Sequence, residues 1–214
     1  MPGMGDPSTL HPWTALDAAL TFAMWAVMMV GMMTASAAPE VLLFAAIHRG
    51  RGARRAPRVV FAFGAGYLLV WTAFSAGATL AQWGLHRAAM LSPTMTSSSA
   101  RLNSAILIAA GIYQLTPVMG ACLSHCRSPL GFLISHWQDG MGGALRMGIE
   151  HGTYCFGCCW AVMCVLFVVG VMNLVWVAAI AAFVLMEKIG PAGTFVARAA
   201  GVAMIAAGAL VWGR

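Results

Sequence analysis

The sequence has few charged residues, and this shortage limits the class of protein it can encode. Only 8% of its 214 residues are charged, whereas 61% are hydrophobic, and the mean hydropathy is +0.83. Soluble domains carry about 25% charged residues. The composition therefore excludes a separate soluble domain and indicates an all-α bundle in a polytopic membrane protein. The net charge of +6 resides in short loops, so it is not a signal for nucleic-acid binding.

Two further features are missing from the sequence. No G-x-x-x-x-G-K-[ST] motif for nucleotide phosphates occurs, which argues against a pump unless a partner protein drives it. The N-terminal stretch MPGMGDPSTLHPW has no basic region before an apolar one, so no cleavable signal peptide is expected. The residues favour a binding protein over an enzyme.

Apolar segments predict about six membrane-spanning helices. A polar tail, residues 1–15, carries Met1, Met4 and His11, which we interpret as an outer metal-collecting site. A single transmembrane domain, 16–214, follows. A span needs about 20 apolar residues, so the fifth segment is the shortest candidate. The predicted spans are 16–38 (continuing past Pro39 to 48), 59–83, 102–119, 151–172, 174–188 and 194–212.

Basic residues are distributed unevenly between the two sets of loops. One set contains Arg49, Arg51, Arg54, Arg55, Arg58, Arg127, Arg146, Lys188 and Arg198. The other set contains Arg87, Arg101 and Arg214. Because basic loops stay on the cytoplasmic side, the first set is predicted to be cytoplasmic and both termini to lie outside.

A histidine and three cysteines occur together in HGTYCFGCCW. On a helix that turns about 100° per residue, His151, Cys155, Cys158 and Cys159 share one face. Cys164 falls on the far side, and we interpret it as structural. Thiolate and imidazole ligands suit Cu(I) and Zn(II).

A second cluster lies upstream in ACLSHCRSP. Cys122, His125 and Cys126 are spaced i, i+3, i+4 and also share a face if they are helical. Ligands from both clusters are predicted to meet around one metal ion. Three other interpretations remain open: buried cysteines acting as small hydrophobic residues, a redox dithiol at Cys155 and Cys158, and a structural zinc site.

Methionines in WAVMMVGMM add a second kind of sulfur ligand. Met28 and Met32 are one helical turn apart, roughly 16 to 24 Å along the helix from Asp17. Thioethers bind Cu(I) and have little affinity for Zn(II). The alternative is that these methionines are flexible apolar filler.

Three polar residues are interpreted as structural. Glu187 and Lys188 are predicted to anchor a helix end at the membrane interface. Glu40 is predicted to be a capping residue, with an ion gate as the alternative.

Several motifs resemble a bacterial family of predicted metal-binding integral membrane proteins. They are YQLTP, ACLxHCRSPLGF, ALRMGxxHGxYCxGCCW, FVVGVMNLxW and LMEK. The similarity covers nearly the whole chain from Trp13 onward. It implies a metal-binding protein of the bacterial cytoplasmic membrane.

Together these observations favour a protein that handles Cu(I) by uptake, delivery or insertion into a membrane or periplasmic partner. Its predicted surroundings are the lipid bilayer, and zinc is the alternative metal. A membrane thiol oxidoreductase that exchanges electrons with quinone and a zinc-stabilised subunit of a larger complex remain as alternative functions. The predicted ligands are Cys122, His125, Cys126, His151, Cys155, Cys158, Cys159, Met28 and Met32.

Overall fold

The computed structural model describes residues 13–50, 56–88 and 99–213, and within these ranges every regular element is a helix. This confirms the predicted all-α fold. The tail residues Met1, Met4 and His11 lie outside the described ranges. The helices are α1 (Ala15–Gly50), α2 (Ala56–Arg87), α3 (Ala100–Gln114), α4 (Pro117–Cys126), α5 (Pro129–Ser135), α6 (Gly140–Cys164), α7 (Leu166–Val169), α8 (Leu174–Ile189) and α9 (Gly193–Trp212).

Four of the helical stretches are long and apolar enough to cross a membrane. They are α1, α2, the α6–α7 stretch Gly140–Val169, and α9. The α3–α4 pair is bent by 66° and makes a fifth if it is one broken span. The predicted fifth segment is α8, which has only 16 residues. The described helices are thus consistent with a membrane protein of four to five long spans, where the sequence predicted about six.

A proline turn explains why the third predicted span is broken. Helix α3 ends at Gln114, and Thr116 caps the start of α4 by accepting a hydrogen bond from Met119 N at 3.3 Å. Pro117 occupies the first turn of α4, where its missing N–H costs nothing. By contrast, Pro39 lies inside the continuous helix α1.

Helix α6 begins at Gly140, whereas the fourth predicted span began at residue 151. Its first half is rich in glycine, which resembles a loop pattern, but two of these glycines serve close packing. A side chain at Gly148 would collide with Phe63 O of α2, and one at Gly152 would lie 2.9 Å from Val70 Cγ2. Glycine therefore allows α2 and α6 to approach closely, as small residues do between membrane helices.

The buried residues form two main cores along the bundle. The larger one contains Trp25, Tyr67 and Trp71 together with four cysteine thiols. The second core joins α1, α2, α5 and α6 near the end of α1 and the start of α2, and contains Phe44 and Phe63. The cysteines are therefore placed inside the bundle, between apolar layers.

Candidate metal centre

Four cysteine thiols from two helices meet in the larger core. Cys155, Cys158 and Cys159 are buried on α6, and Cys126 is buried at the end of α4. Cys158 Sγ lies 3.4 Å from Cys159 Sγ and 3.9 Å from Cys126 Sγ. The Cys155 thiol interacts with those of Cys126 and Cys159. We call these four residues the thiol cluster.

The sulfur spacing of the thiol cluster matches ligands that share an ion. Metal–sulfur bonds of about 2.3 Å place sulfurs that share an ion within roughly 4 Å of one another. Within the ranges 13–50, 56–88 and 99–213, however, no group of three or more His, Cys, Asp or Glu side chains is arranged to hold a metal ion. A metal site on these thiols would therefore need the side chains to move.

An ammonium group lies against the thiol cluster. Lys188 is buried, and its Nζ donates to Cys155 Sγ at 2.8 Å and to Ser36 Oγ at 3.1 Å. The Tyr67 hydroxyl is 3.1 Å from the same sulfur and donates to Met33 O at 3.0 Å. Cys155 is therefore the thiol most closely surrounded by hydrogen-bonding groups.

The prediction that Glu187 and Lys188 anchor a helix end at the interface is wrong, because both side chains are buried. Glu187 accepts hydrogen bonds from the Gln114 amide at its carboxylate and from the Arg127 guanidinium at its backbone carbonyl. These bonds fix the end of α8 against α3 and α4. Because Lys188 is the next residue after Glu187, these bonds also keep its side chain beside the thiol cluster.

Two residues of the upstream motif do not join the thiol cluster. His125 is half-buried, its Nδ1 lies 2.9 Å from Ala121 O, and its ring stacks on Tyr154 at 4.3 Å. Cys122 packs against α6, where a side chain at Gly157 would lie 2.6 Å from its Sγ. Of the three motif residues on α4, only Cys126 reaches the other thiols.

His151 is buried on α6 in an aromatic environment rather than among the thiols. Its ring lies 5.6 Å from Tyr67, 5.2 Å from Phe132 and 6.2 Å from Phe63, measured between ring centroids. Its Nε2 is 4.0 Å from Glu40 Oε2. The prediction that Glu40 is a capping residue is wrong, since it is buried in the interior of α1.

The predicted methionine ligands line a groove between α1 and α8. The groove has a volume of about 1010 Å³, and four thioethers contribute to its wall: Met24, Met28, Met32 and Met172. Met32 is buried and belongs to the same core as the thiol cluster. Ser36, which accepts from Lys188, follows Met32 by one turn on α1. The groove thus ends beside the thiol cluster.

Comparison with known proteins identifies the family. Residues 22–211 match the family described as PpoB2, copper chaperone. The chain belongs to the PpoB2 copper chaperone family. Neither a curated protein nor a solved structure matches it.

Membership in the PpoB2 family supports the predicted metal-related family and the prediction that this protein handles copper. Its long apolar helices are consistent with contact with lipid. The family description fixes neither the oxidation state of copper nor its ligands, so the choice of ligands depends on the geometry above.

Sequence reasoning missed Lys188 and Tyr67 as neighbours of the thiol cluster. Lys188 is the only lysine of the chain and follows an apolar helix. Ionisable residues within membrane segments usually face the bundle interior and have functional partners. This rule could have indicated that Lys188 is buried beside a functional site. No sequence signal distinguished Tyr67, since its contact with Cys155 spans 88 positions.

Proposed function

We propose that this protein is a membrane copper chaperone that receives Cu(I) along methionines of α1 and holds it on the thiol cluster for transfer to a partner. The observation that carries the proposal is the convergence of four buried thiols from α4 and α6 in a chain of a copper chaperone family. Copper is the cargo in this proposal and leaves with the partner.

The donor types favour Cu(I) as the form of copper that is carried. Thiolates and thioethers are soft ligands, and both are ligands that Cu(I) prefers. Zinc would bind the thiols but would gain little from Met28 and Met32. The thioether groove therefore supports copper over zinc as the intended ion.

Lys188 supplies positive charge beside the thiol cluster. Its ammonium group donates to Cys155 Sγ and Ser36 Oγ, so it can offset the negative charge of the thiolates that would hold Cu(I).

Replacing Met28 and Met32 together by leucine is expected to reduce copper accumulation in cells without unfolding the protein. Leucine conserves volume and apolarity, so the change should cost less than about 1.5 kcal/mol of packing. The double change removes two thioether ligands, which bind Cu(I) and have little affinity for Zn(II). The measurement is cellular copper accumulation together with copper and zinc per purified protein, both by mass spectrometry.

The matched control for this double change is Met186→Leu, because Met186 is exposed on α8 and does not line the groove. The control should accumulate copper like the wild type. One zinc per wild-type protein, unchanged in the Met28/Met32 variant, would refute copper as the cargo. Normal accumulation with copper still on the thiols would refute only the methionine path.

Orientation in the membrane is a further part of the proposal. Because Lys188 is buried, it cannot count as a loop charge, which reduces the cytoplasmic set from nine residues to eight. With α3–α4 and α8 counted as spans, eight against three favours a cytoplasmic location for the loops after α1, α4 and α8. Cu(I) would then enter the groove from the outer side.

Single cysteines in a cysteine-free background should report this orientation. Thr14→Cys, before α1, is expected to react with an impermeant maleimide added to intact cells. Ser128→Cys, an exposed position between α4 and α5, should react only after the membrane is opened. Labelling at position 128 in intact cells would contradict the orientation.

The geometry does not favour the thiol oxidoreductase alternative. Cys155 and Cys158 are at most 1% exposed, so an external disulfide or quinone has no access to their sulfurs. Cys158 Sγ lies 3.4 Å from Cys159 Sγ, so Cys155 and Cys158 do not form an isolated dithiol pair. A redox dithiol normally presents a partly exposed, reactive sulfur.

A further inference from the structure

The thiol cluster is too deeply buried to pass an ion directly to a partner. Cys155, Cys158 and Cys159 are at most 1% exposed, and Cys126 is 5% exposed. An acceptor must contact the ion to take it from strong ligands such as thiolates. Delivery from the cluster therefore needs a further ligand that lies both near these sulfurs and at the surface of the bundle.

Cys122 is a half-buried thiol one helical turn from the cluster. It precedes Cys126 by four residues on α4, so the Cβ atoms of the two residues are about 5–6 Å apart. Cys126 Sγ in turn lies 3.9 Å from Cys158 Sγ. Cys122 also packs against α6 at Gly157, the residue before Cys158. The other half-buried cysteine, Cys164, lines a separate cavity.

His125 supplies a ring nitrogen on the same turn of α4. Its Nδ1 lies 2.9 Å from the carbonyl oxygen of Ala121, the residue before Cys122, and a carbonyl oxygen only accepts. In the neutral ring Nδ1 therefore carries the proton, and Nε2 keeps the lone pair that binds a metal. Ligating histidines usually donate their other N–H in this way. Stacking on Tyr154, with ring centroids 4.3 Å apart, holds the ring in place.

The surface of α4 beside Cys122 is open to an approaching acceptor. Gly120, Ala121 and Ser124 are all exposed, and His125 is half-buried. Because the three exposed side chains are small, they leave room around the sulfur. Cys122 and His125 therefore combine access from outside the bundle with proximity to the buried thiols.

We propose that Cys122 and His125 form the exit site, through which Cu(I) passes from the thiol cluster to an acceptor with soft ligands. The inference rests on the proposed function, since the ion comes from the cluster. Cys122 Sγ binds the ion as a cluster thiolate releases it, and the proton of the Cys122 thiol moves to the released thiolate. Copper stays Cu(I), so no oxidant or reductant takes part.

The donor set of the exit site favours release. Imidazole is a harder ligand than thiolate, so one thiolate and one imidazole hold Cu(I) less tightly than the thiols of the cluster do. The ion therefore stays on the cluster until an acceptor arrives. The exit site should affect the rate of transfer and not the affinity, because a step on the path speeds release and rebinding equally.

Anaerobic transfer from the detergent-purified full chain tests the inference. The protein is loaded with one equivalent of Cu(I) and mixed with a chromogenic Cu(I) chelator. The absorbance change gives the transfer rate, and its final level gives the affinity. Cys122→Ser and His125→Phe should each slow transfer by at least about 10-fold, the size of loss that changes around metal ligands cause. The affinity should remain that of the wild type.

Both variants preserve packing, since serine is close to cysteine in size and phenylalanine keeps the ring against Tyr154. The matched controls are Cys164→Ser and His48→Phe, which should transfer copper at the wild-type rate. His48 makes the same kind of backbone contact, with Nδ1 3.1 Å from Phe44 O, and its ring stacks on Trp137. Its helix α1 contains no cysteine, however.

The outcomes separate this inference from the proposed function. A wild-type rate in either variant, or slow transfer in either control, would overturn the exit site and leave the thiol cluster as the copper site. An affinity that falls together with the rate would make the changed residue a ligand of the resting ion, which also overturns its role in exit. Copper binding that survives the loss of Cys155 and Cys158 would overturn the proposed function, and the exit site with it.

Discussion

Cys155→Ser combined with Cys158→Ser is expected to abolish the sulfur-bound copper of this protein. The change removes two of the four thiols of the cluster and replaces soft donors by hydroxyls that Cu(I) binds poorly. Loss of partners outside the ligand shell of a metal already costs 10–100-fold in affinity. Removing two ligands should therefore lower the affinity for Cu(I) by at least about 100-fold, measured by competition with a Cu(I) chelator.

The matched control is Cys164→Ser on the same helix. Cys164 is half-buried and lines a separate cavity with Phe74 and Phe167. It is expected to leave the affinity unchanged. Cys122→Ser distinguishes the two thiols of α4, since only Cys126 contacts the cluster. Loss of copper in the Cys164 or Cys122 variant, with binding kept in the double variant, would place the site elsewhere.

A single methyl group on α2 is expected to have the second large effect, on stability. An alanine Cβ at Gly66 would collide with Leu145 O of α6, and it would also lie 3.0 Å from Ile149 N. Both contacts are with backbone atoms, which cannot move aside as a side chain can. Gly66→Ala should therefore destabilise the protein by about 1–3 kcal/mol or more, as overpacking does.

The control for this change lies two residues earlier on the same helix. A Cβ at Gly64 has nothing within 4 Å, so Gly64→Ala should gain about 0.5–1 kcal/mol from its better helix propensity. The two variants are predicted to shift thermal unfolding in detergent, followed by circular dichroism, in opposite directions. Equal shifts would show that α2 and α6 do not pack closely at Gly66.

The contrast between Gly64 and Gly66 also marks a limit of sequence reasoning. Both glycines suggest close packing of membrane helices when only the sequence is considered. Gly66 faces α6 and Gly64 faces an open groove with Phe61 and Leu68. The face of α2 that turns toward α6 is decided by how the whole bundle packs.

The cysteine motifs show a similar division. Helical periodicity correctly placed Cys155, Cys158 and Cys159 on one face of α6, because that relation is local. The same argument placed Cys122, His125 and Cys126 together, yet only Cys126 reaches the other thiols. Periodicity fixes which residues share a face, but not which part of the face meets another helix.

Two predictions made from charge and backbone patterns were wrong because the residues concerned are buried. Lys188 at the end of a short apolar helix looked like an interface residue, and Glu40 after Pro39 looked like a cap. For Lys188, hydrogen-bonding partners from distant helices make burial possible, since an unpaired charge inside the bundle would be costly. Those partners are separated from Lys188 by as many as 152 positions.

The class of the protein could be predicted without a structure: it is helical, apolar and rich in soft ligands. These properties depend on composition and local periodicity, whereas the relation to metal-binding proteins came from the resemblance of its motifs. The contacts of Cys126 with the α6 thiols, of Lys188 with Cys155 and of Glu40 with His151 could not be predicted in this way. Such contacts depend on how α1, α4, α6 and α8 cross, and the crossing is set by packing between residues far apart in the chain.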